Sequence, residues 1–217
     1  MVTSPPGLRE RKKQATREAL REAALRLAVE RGPDGVRVED IAEAAGVSPR
    51  TYNNYFASRE QAIVAAVTAD REARIAAAVA ARPAEVRLAA AVTEAVVEQY
   101  TNTREDERAA LLLITTRTAL RAAFLDSTAG IEAPLAAVIA ERLGDAEART
   151  ARVLAASVAT AVRIALDEWL QGAGTTGAGA TGLLIPSGPL PDLLRGALAP
   201  LAPAFDAAES PTRSSSP

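Results

Sequence analysis

The stretch from Val38 to Phe56, VEDIAEAAGVSPRTYNNYF, constrains the fold more tightly than any other part of the chain. Ile41, Ala42 and Ala45 stand at helical spacing, Gly46 and Val47 make a corner, and Ser48 and Pro49 open a second short helix. Glycine tolerates the positive φ that a sharp exit from the first helix requires, serine can accept from orphan N–H groups, and proline fits a first helical turn. The pattern predicts a helix-turn-helix, with the second helix held at a steep angle to the first. Tyr52 and Phe56, four apart, face inward, which directs Arg50, Thr51, Asn54 and Tyr55 away from the core. Such a face fits a DNA major groove.

At 217 residues the chain suits a small head joined to a larger body. Alanine makes up about a quarter of it and aromatic residues only 3%, so helix formers dominate and an all-α fold is expected. Without Cys or His there is no disulfide, thiolate nucleophile, histidine base or ordinary zinc site. No metal and no cofactor are expected, and the chain is not expected to be an enzyme. No run approaches the about 18 apolar residues needed to span a bilayer, so the expectation is a soluble, cytoplasmic protein with no membrane partner.

The net charge of -2 alone argues against a nucleic-acid partner, but its distribution argues for one. Met1 to Glu60 carries 11 Lys+Arg against 9 Asp+Glu, and within Met1 to Arg17 the cations Arg9, Arg11, Lys12, Lys13 and Arg17 oppose only Glu10. The basic charge thus lies beside the reading head, where it can meet phosphates.

Taken in order, Met1 to Leu8 reads as a loose arm. A helix follows from Arg9 to Arg31 with a stripe of Thr16, Leu20, Ala23, Ala24 and Leu27, ended by Gly32, Pro33 and Gly35. Val36 and Val38 plug a small core made with Leu20, Leu27, Ile41, Val47, Tyr52 and Phe56. Ser58 and Gln61 form a capping-box signature for a helix from Arg59 to about Ala81, a single rod joining head and body. Further helices are expected from Ala84 to Thr101, from Arg104 to Arg117, and from Thr118 to Leu143 with a break near Gly130 and Pro134. The most apolar helix, Ala146 to Leu170, precedes a mobile Gly/Thr/Ala-rich loop from Gln171 to Gly182 and a last helix from Leu190 to about Leu201. The division expected is a helix-turn-helix head over 1–65, a helical ligand-binding and dimerisation body over 66–206, and a disordered tail over 207–217.

The long first helix ending in ERG, followed by VEDIAEAAGVSPRTYNNYFASREQAI, resembles the TetR family of bacterial transcriptional regulators, whose usual pattern is IA..AGVS..T.Y.YF.SKE.L. The resemblance covers about the first 65 residues. It implies a three-helix DNA-binding head, an all-helical body that binds a small molecule, and dimerisation through the last two helices. Gly46, Val47, Tyr52 and Phe56 match structural positions of that pattern, while Thr51, Tyr55 and Arg59 match positions that touch DNA, Arg59 standing where lysine is frequent. Asn53 replaces a common phosphate-contacting aromatic. Arg37 replaces a threonine that caps the second helix, which predicts a weaker cap or a shifted helix start.

The expected DNA-binding residues are therefore Arg50, Thr51, Asn53, Asn54, Tyr55 and Arg59. Tyr55, Arg59 and Thr51 suit phosphates; Arg50 suits guanine and Asn54 adenine. In the body, Tyr100, Thr116, Arg121, Phe124 and Trp169 stand out from an Ala/Leu/Val background as ligand-pocket candidates, with core or interface packing as the competing role for Phe124 and Trp169. Arg163 and Asp167, four apart, suit an exposed ion pair. The function expected is a DNA-binding regulator, a homodimeric repressor released from an inverted-repeat operator on double-stranded DNA by a small-molecule effector. The alternatives are a helical-bundle carrier or enzyme with a vestigial head, and an architectural DNA binder without a ligand.

Overall fold

Leu20, Ala24, Leu27 and Ala28 fall on one side of a helix, and all four are buried where helix α1, Leu8–Arg31, packs on its neighbours. Gly32, at φ +74°, ends it, and Pro33–Gly35 form a single 3-10 turn. The computed structural model describes residues 7–68, 71–101, 114–115, 117–144, 147–175 and 190–210, apart from the side chains of 10 and 172–175. Helices fill nearly all of these residues and no strand occurs among them. The helix expected from Arg104, candidate Thr116, the loop beyond Thr175 and the end of the tail lie outside them, as does the arm up to residue 6. So do 69 and 70, on which a continuous rod from Arg59 to Ala81 depends.

Two compact units divide the chain, Met1–Ala69 with Asp106–Phe124, and Asp70–Glu105 with Leu125–Pro217. In the first, α1 packs on α2 (Val38–Ala44), on α4 (Arg59–Thr68) and on the 3-10 turn, while α2 packs on α3 (Pro49–Tyr52). Helix α2 starts at Val38, so the start is not shifted by the missing threonine. The Arg37 N–H donates to the Asp40 carboxylate at 3.1 Å, which supplies one half of a capping box from the acid side. Ser58 caps α4 by accepting from the Gln61 N–H at 3.1 Å. Gln61 reaches back one residue further than a reciprocal box would, to the Ala57 N–H at 2.8 Å.

In the second unit α5 (Arg71–Ala80) packs on α6 (Leu88–Thr101), and the long α9 (Ala148–Thr175) packs on α8 (Glu132–Leu143) and α10 (Leu190–Leu198). Helix α7 (Thr118–Asp126) runs across the division between Phe124 and Leu125. The expected break appears as the 3-10 turn Ser127–Ile131, and Pro134 falls in the first turn of α8, where its missing N–H costs nothing. Within Thr118–Leu143 an 18-residue window has a mean hydropathy of 1.3, enough by length and composition to cross a bilayer although charged residues interrupt the apolar run. The 3-10 turn divides it, and Leu120, Phe124, Ile131, Leu135 and Ile139 are buried.

Several boundaries differ from those expected. Helix α9 continues to Thr175, five residues past Leu170 and into the glycine-rich stretch. Helix α6 begins at Leu88 rather than Ala84, because residues 83 to 86 close a turn in which the Val86 N–H donates to the Pro83 carbonyl at 3.1 Å. The stretch expected to be a disordered tail from Ala207 is folded as far as Glu209, in α11 (Ala202–Glu209), which packs on α6. Tertiary contacts hold it: Phe205 is buried, the Glu209 carboxylate accepts from the Leu88 N–H at 2.9 Å, and Arg87 pairs with Asp206 at 2.9 Å. The segment is held in place because it packs on another helix and caps its start. Arg163 does not pair with Asp167 but lies 3.7 Å from Asp126, while Asp167 accepts from Gln171.

Candidate nucleic-acid interface

The corner between α2 and α3 is built as the spacing predicts. Gly46 adopts φ +68°, the Val47 N–H donates back to the Ala42 carbonyl at 2.9 Å, and Ser48 Oγ accepts from the Thr51 N–H at 3.1 Å. Helix α3 itself is one turn long. It closes at Tyr52, and the chain tightens into a turn in which the Asn54 N–H meets the Thr51 carbonyl and the Tyr55 N–H the Tyr52 carbonyl, at 3.1 and 2.8 Å. Asn53, Asn54 and Tyr55 therefore come from this turn and not from the helix expected to carry them.

Tyr52 and Phe56 lie underneath, 0% and 2% exposed, with ring centroids 5.9 Å apart. The Tyr52 hydroxyl donates to the Ser58 carbonyl at 2.8 Å; burial, with the nearby Glu60 charge adding to it, pushes its pKa well above the ordinary phenol value, so it remains a donor. Arg50, Asn53 and Asn54 are exposed and Tyr55 is half-buried. Thr51 is half-buried, with its hydroxyl 2.9 Å from that of Ser48. Arg17 of α1 sits with its guanidinium carbon 5.6 Å from the Phe56 ring centroid.

Arg59 occupies a different place from the one its sequence position suggests. Its Nη1 donates to the carbonyls of Val36 and Asp34 at 2.8 and 3.2 Å, and its Nε donates to Glu60 at 2.7 Å. Burial pushes the Glu60 carboxyl up, but hydrogen bonds from Arg59, its own backbone N–H and Ser58, with the Arg59 charge, hold it below the ordinary value. Arg59 thus clamps the turn between α1 and α2 to the start of α4. The same turn is held from α7's side by Arg117, whose Nε lies 3.3 Å from the Asp34 carboxylate. Nothing in the sequence around Asp34, a lone acid in a GPDG turn, marks it as shared by two arginines.

Arg59→Ala is expected to lower the melting temperature by a few degrees, from about 1–2 kcal/mol of lost charged hydrogen bonding. The slope of log affinity against log salt for DNA should stay unchanged. A slope shallower by about one would put the guanidinium on a phosphate instead.

The ligand-pocket candidates are divided between the units. Arg121, half-buried, and Phe124, buried, belong to the first; Tyr100 and Trp169, both buried, belong to the second. Tyr100 carries the guanidinium of buried Arg71 over its ring at 4.6 Å, and burial raises its pKa, with Arg71 opposing and Glu72 adding. The Trp169 indole N–H has no hydrogen-bond partner among the described residues. An open groove of about 540 Å³ between α8 and α9, lined by Glu132, Ala136, Arg149, Arg152, Val153 and Ala156 among others, touches none of these candidates.

Comparison with known proteins gives a consistent picture. Residues 20–66 match the family model of bacterial regulatory proteins of the TetR family, and residues 83–206 match that of the MftR C-terminal domain. The HTH-type transcriptional regulator TcmR of Streptomyces glaucescens is 34% identical over 182 residues, 78% of this chain and 80% of that protein. The HTH-type transcriptional regulator BetI of Rhizobium meliloti (strain 1021) is 43% identical over 51 residues, 24% of this chain and 25% of its own length. Among solved structures, Thermus thermophilus FadR, a TetR-family transcriptional repressor in complex with lauroyl-CoA, superposes with a TM-score of 0.50 at 19% identity, covering 93% of this chain and 98% of that one.

Proposed function

Because this chain belongs to the TetR family of bacterial transcriptional regulators, we propose that it acts in the cytoplasm as a homodimeric repressor, released from an inverted-repeat operator by a small-molecule effector. The chain regulates transcription through its helix-turn-helix. The observation that carries the finer reading is the exposed set Arg50, Asn53 and Asn54 held over the two pinned rings of Tyr52 and Phe56. Arg50 and Asn54 read base edges, Asn53 and Tyr55 position the turn on phosphates, and Thr51 adds a backbone contact when its hydroxyl turns from Ser48. Arg59 supports the head by tying the turn between α1 and α2 to the start of α4.

Pairing of two copies through α9 and α10 is supported by Val153 and Ile164 of α9, apolar side chains that are 60% and 52% exposed and that a second copy would cover. A two-fold dimer sets its reading turns about one turn of DNA, or a multiple, apart. The effector binds in the second unit, where Tyr100 and Trp169 are the candidates that line its site. It weakens operator binding only by the free energy with which it prefers the form of the dimer that fits DNA poorly.

The decisive experiment is to sequence the genomic fragments that purified protein retains at physiological salt. A shared inverted repeat is the expected result; fragments retained without a common sequence would leave an architectural binder, and no retention at low salt would remove the DNA-binding reading.

A further inference from the structure

We infer that α9 carries a charge pattern by which the chain selects a second copy of itself: two α9 helices pair antiparallel, with Arg149 of each copy opposite Asp167 of the other. This inference rests on the homodimer reading above and adds to it the register and the choice of partner.

Helix α9 has two unlike sides. Val158, Val162, Ala165 and Trp169 fall on one side and are buried in the second unit. The opposite side carries Val153 and Ile164, eleven residues or about three turns apart, two of the four large apolar side chains exposed among the described residues. Between them Ser157 and Thr160 turn their hydroxyls back onto their own helix, donating to the carbonyls of Val153 and Ala156 at 2.8 and 3.0 Å. With those hydroxyls satisfied, the middle of this side is small and needs no polar partner, so another helix can approach it closely. The open groove of about 540 Å³ beside Val153 and Ala156, walled by Ala133 and Ala136 of α8, leaves room for an incoming apolar side chain.

Charge then chooses the direction. Arg149 and Asp167 are eighteen residues apart, five full turns, so they lie on one line along this side and bracket the apolar patch. Arg149 is exposed and Asp167 half-buried, and neither has an ion-pair partner in its own chain among the described residues. Asp167 accepts a hydrogen bond from Gln171 at 2.9 Å, which leaves its charge uncompensated. Arg163, by contrast, lies 3.7 Å from Asp126.

A two-fold axis can set two such helices parallel or antiparallel. Parallel pairing puts Arg149 against Arg149 and Asp167 against Asp167, which repel. Antiparallel pairing puts each arginine against an aspartate, and the same register lays Val153 on Ile164, because both pairs are centred at Val158 to within half a residue. Arg152 and Glu168 stand on opposite flanks of this side and do not meet across it. The occupant that fits is a second copy, since a two-fold pairing needs one surface complementary to itself. A helix of the same shape with neutral or reversed charges would forfeit both ion pairs.

The test uses the full-length chain and three variants, Arg149→Asp, Asp167→Arg and the two combined. Each single reversal sets like charges opposite each other twice per dimer, and the expected result is a homodimer about ten-fold weaker than wild type by sedimentation. The double variant restores opposite charges and returns to the wild-type affinity. Subunit exchange followed by mass spectrometry of the intact dimers reads partner choice. The two single variants, mixed, form heterodimers beyond the half that random pairing gives, whereas the double variant and wild type form fewer than half. Single reversals that pair as tightly as wild type, or a double variant that pairs no better than either of them, would overturn the register. A wild type that sediments as a monomer would overturn the homodimer reading with it, whereas a wild-type dimer that exchanges at random with the double variant overturns the charge pattern alone.

Discussion

Tyr52→Ala is expected to destabilise the DNA-binding unit by about 3–5 kcal/mol and to abolish operator binding at temperatures where the wild type binds. The ring is fully buried, its partner Phe56 lies 5.9 Å away, and the hydroxyl donates to the Ser58 carbonyl where α4 begins. Removing it opens a cavity and also frees the carbonyl that ties the reading turn to the next helix. Against a total domain stability of about 5–15 kcal/mol, such a loss is a large fraction. Tyr52→Phe separates the two effects, since it keeps the ring and should cost only about 1 kcal/mol for the lost hydrogen bond. Thermal and urea unfolding read both variants; a Tyr52→Ala protein that unfolds with the wild type would mean that the ring does not support the turn.

The second large effect concerns which bases are read. Arg50→Ala and Asn54→Ala are each expected to cost about 1–3 kcal/mol of discrimination at one base pair in each half-site, guanine for the arginine and adenine for the asparagine. Asn53→Ala is expected instead to weaken binding to all sequences alike, because a phosphate contact carries no base information. Competition of each variant for operators altered one base pair at a time measures this directly. An Asn54→Ala variant with the wild-type ranking of all altered operators would take the asparagine off the base edges. These expectations follow from exposure: Arg50, Asn53 and Asn54 are exposed, and no hydrogen bond or ion pair holds their side chains to a described residue.

The two predictions differ in how legible their basis was. That Tyr52 and Phe56 turn inward follows from a spacing of four and from the capping chemistry of Ser48 and Pro49, which act within one turn of the chain. That Asn54 and Tyr55 leave the helix does not follow from spacing, because the polar residues after Tyr52 suit a helix and a turn equally. The Tyr52 hydroxyl reaching Ser58, with the Tyr55 N–H bonded to the Tyr52 carbonyl, decides for the turn. Arg59 shows the same limit more sharply. Its sequence position suggests a phosphate, yet its partners are carbonyls 23 and 25 residues earlier, in a loop that no local pattern brings beside it.

The amino-acid order alone determined the helical class, the corner at Gly46, the buried stripe of α1 and the concentration of cations at its start. Each of these depends on residues within a few turns of one another, where periodicity and capping act directly. Only the folded chain decided that α11 exists, since the Leu88 N–H it caps lies 121 residues away from Glu209, and only it decided that Arg163 faces Asp126 rather than Asp167. Partners of long, charged side chains are chosen by which helices pack together, and packing is a property of the whole core rather than of any one stretch.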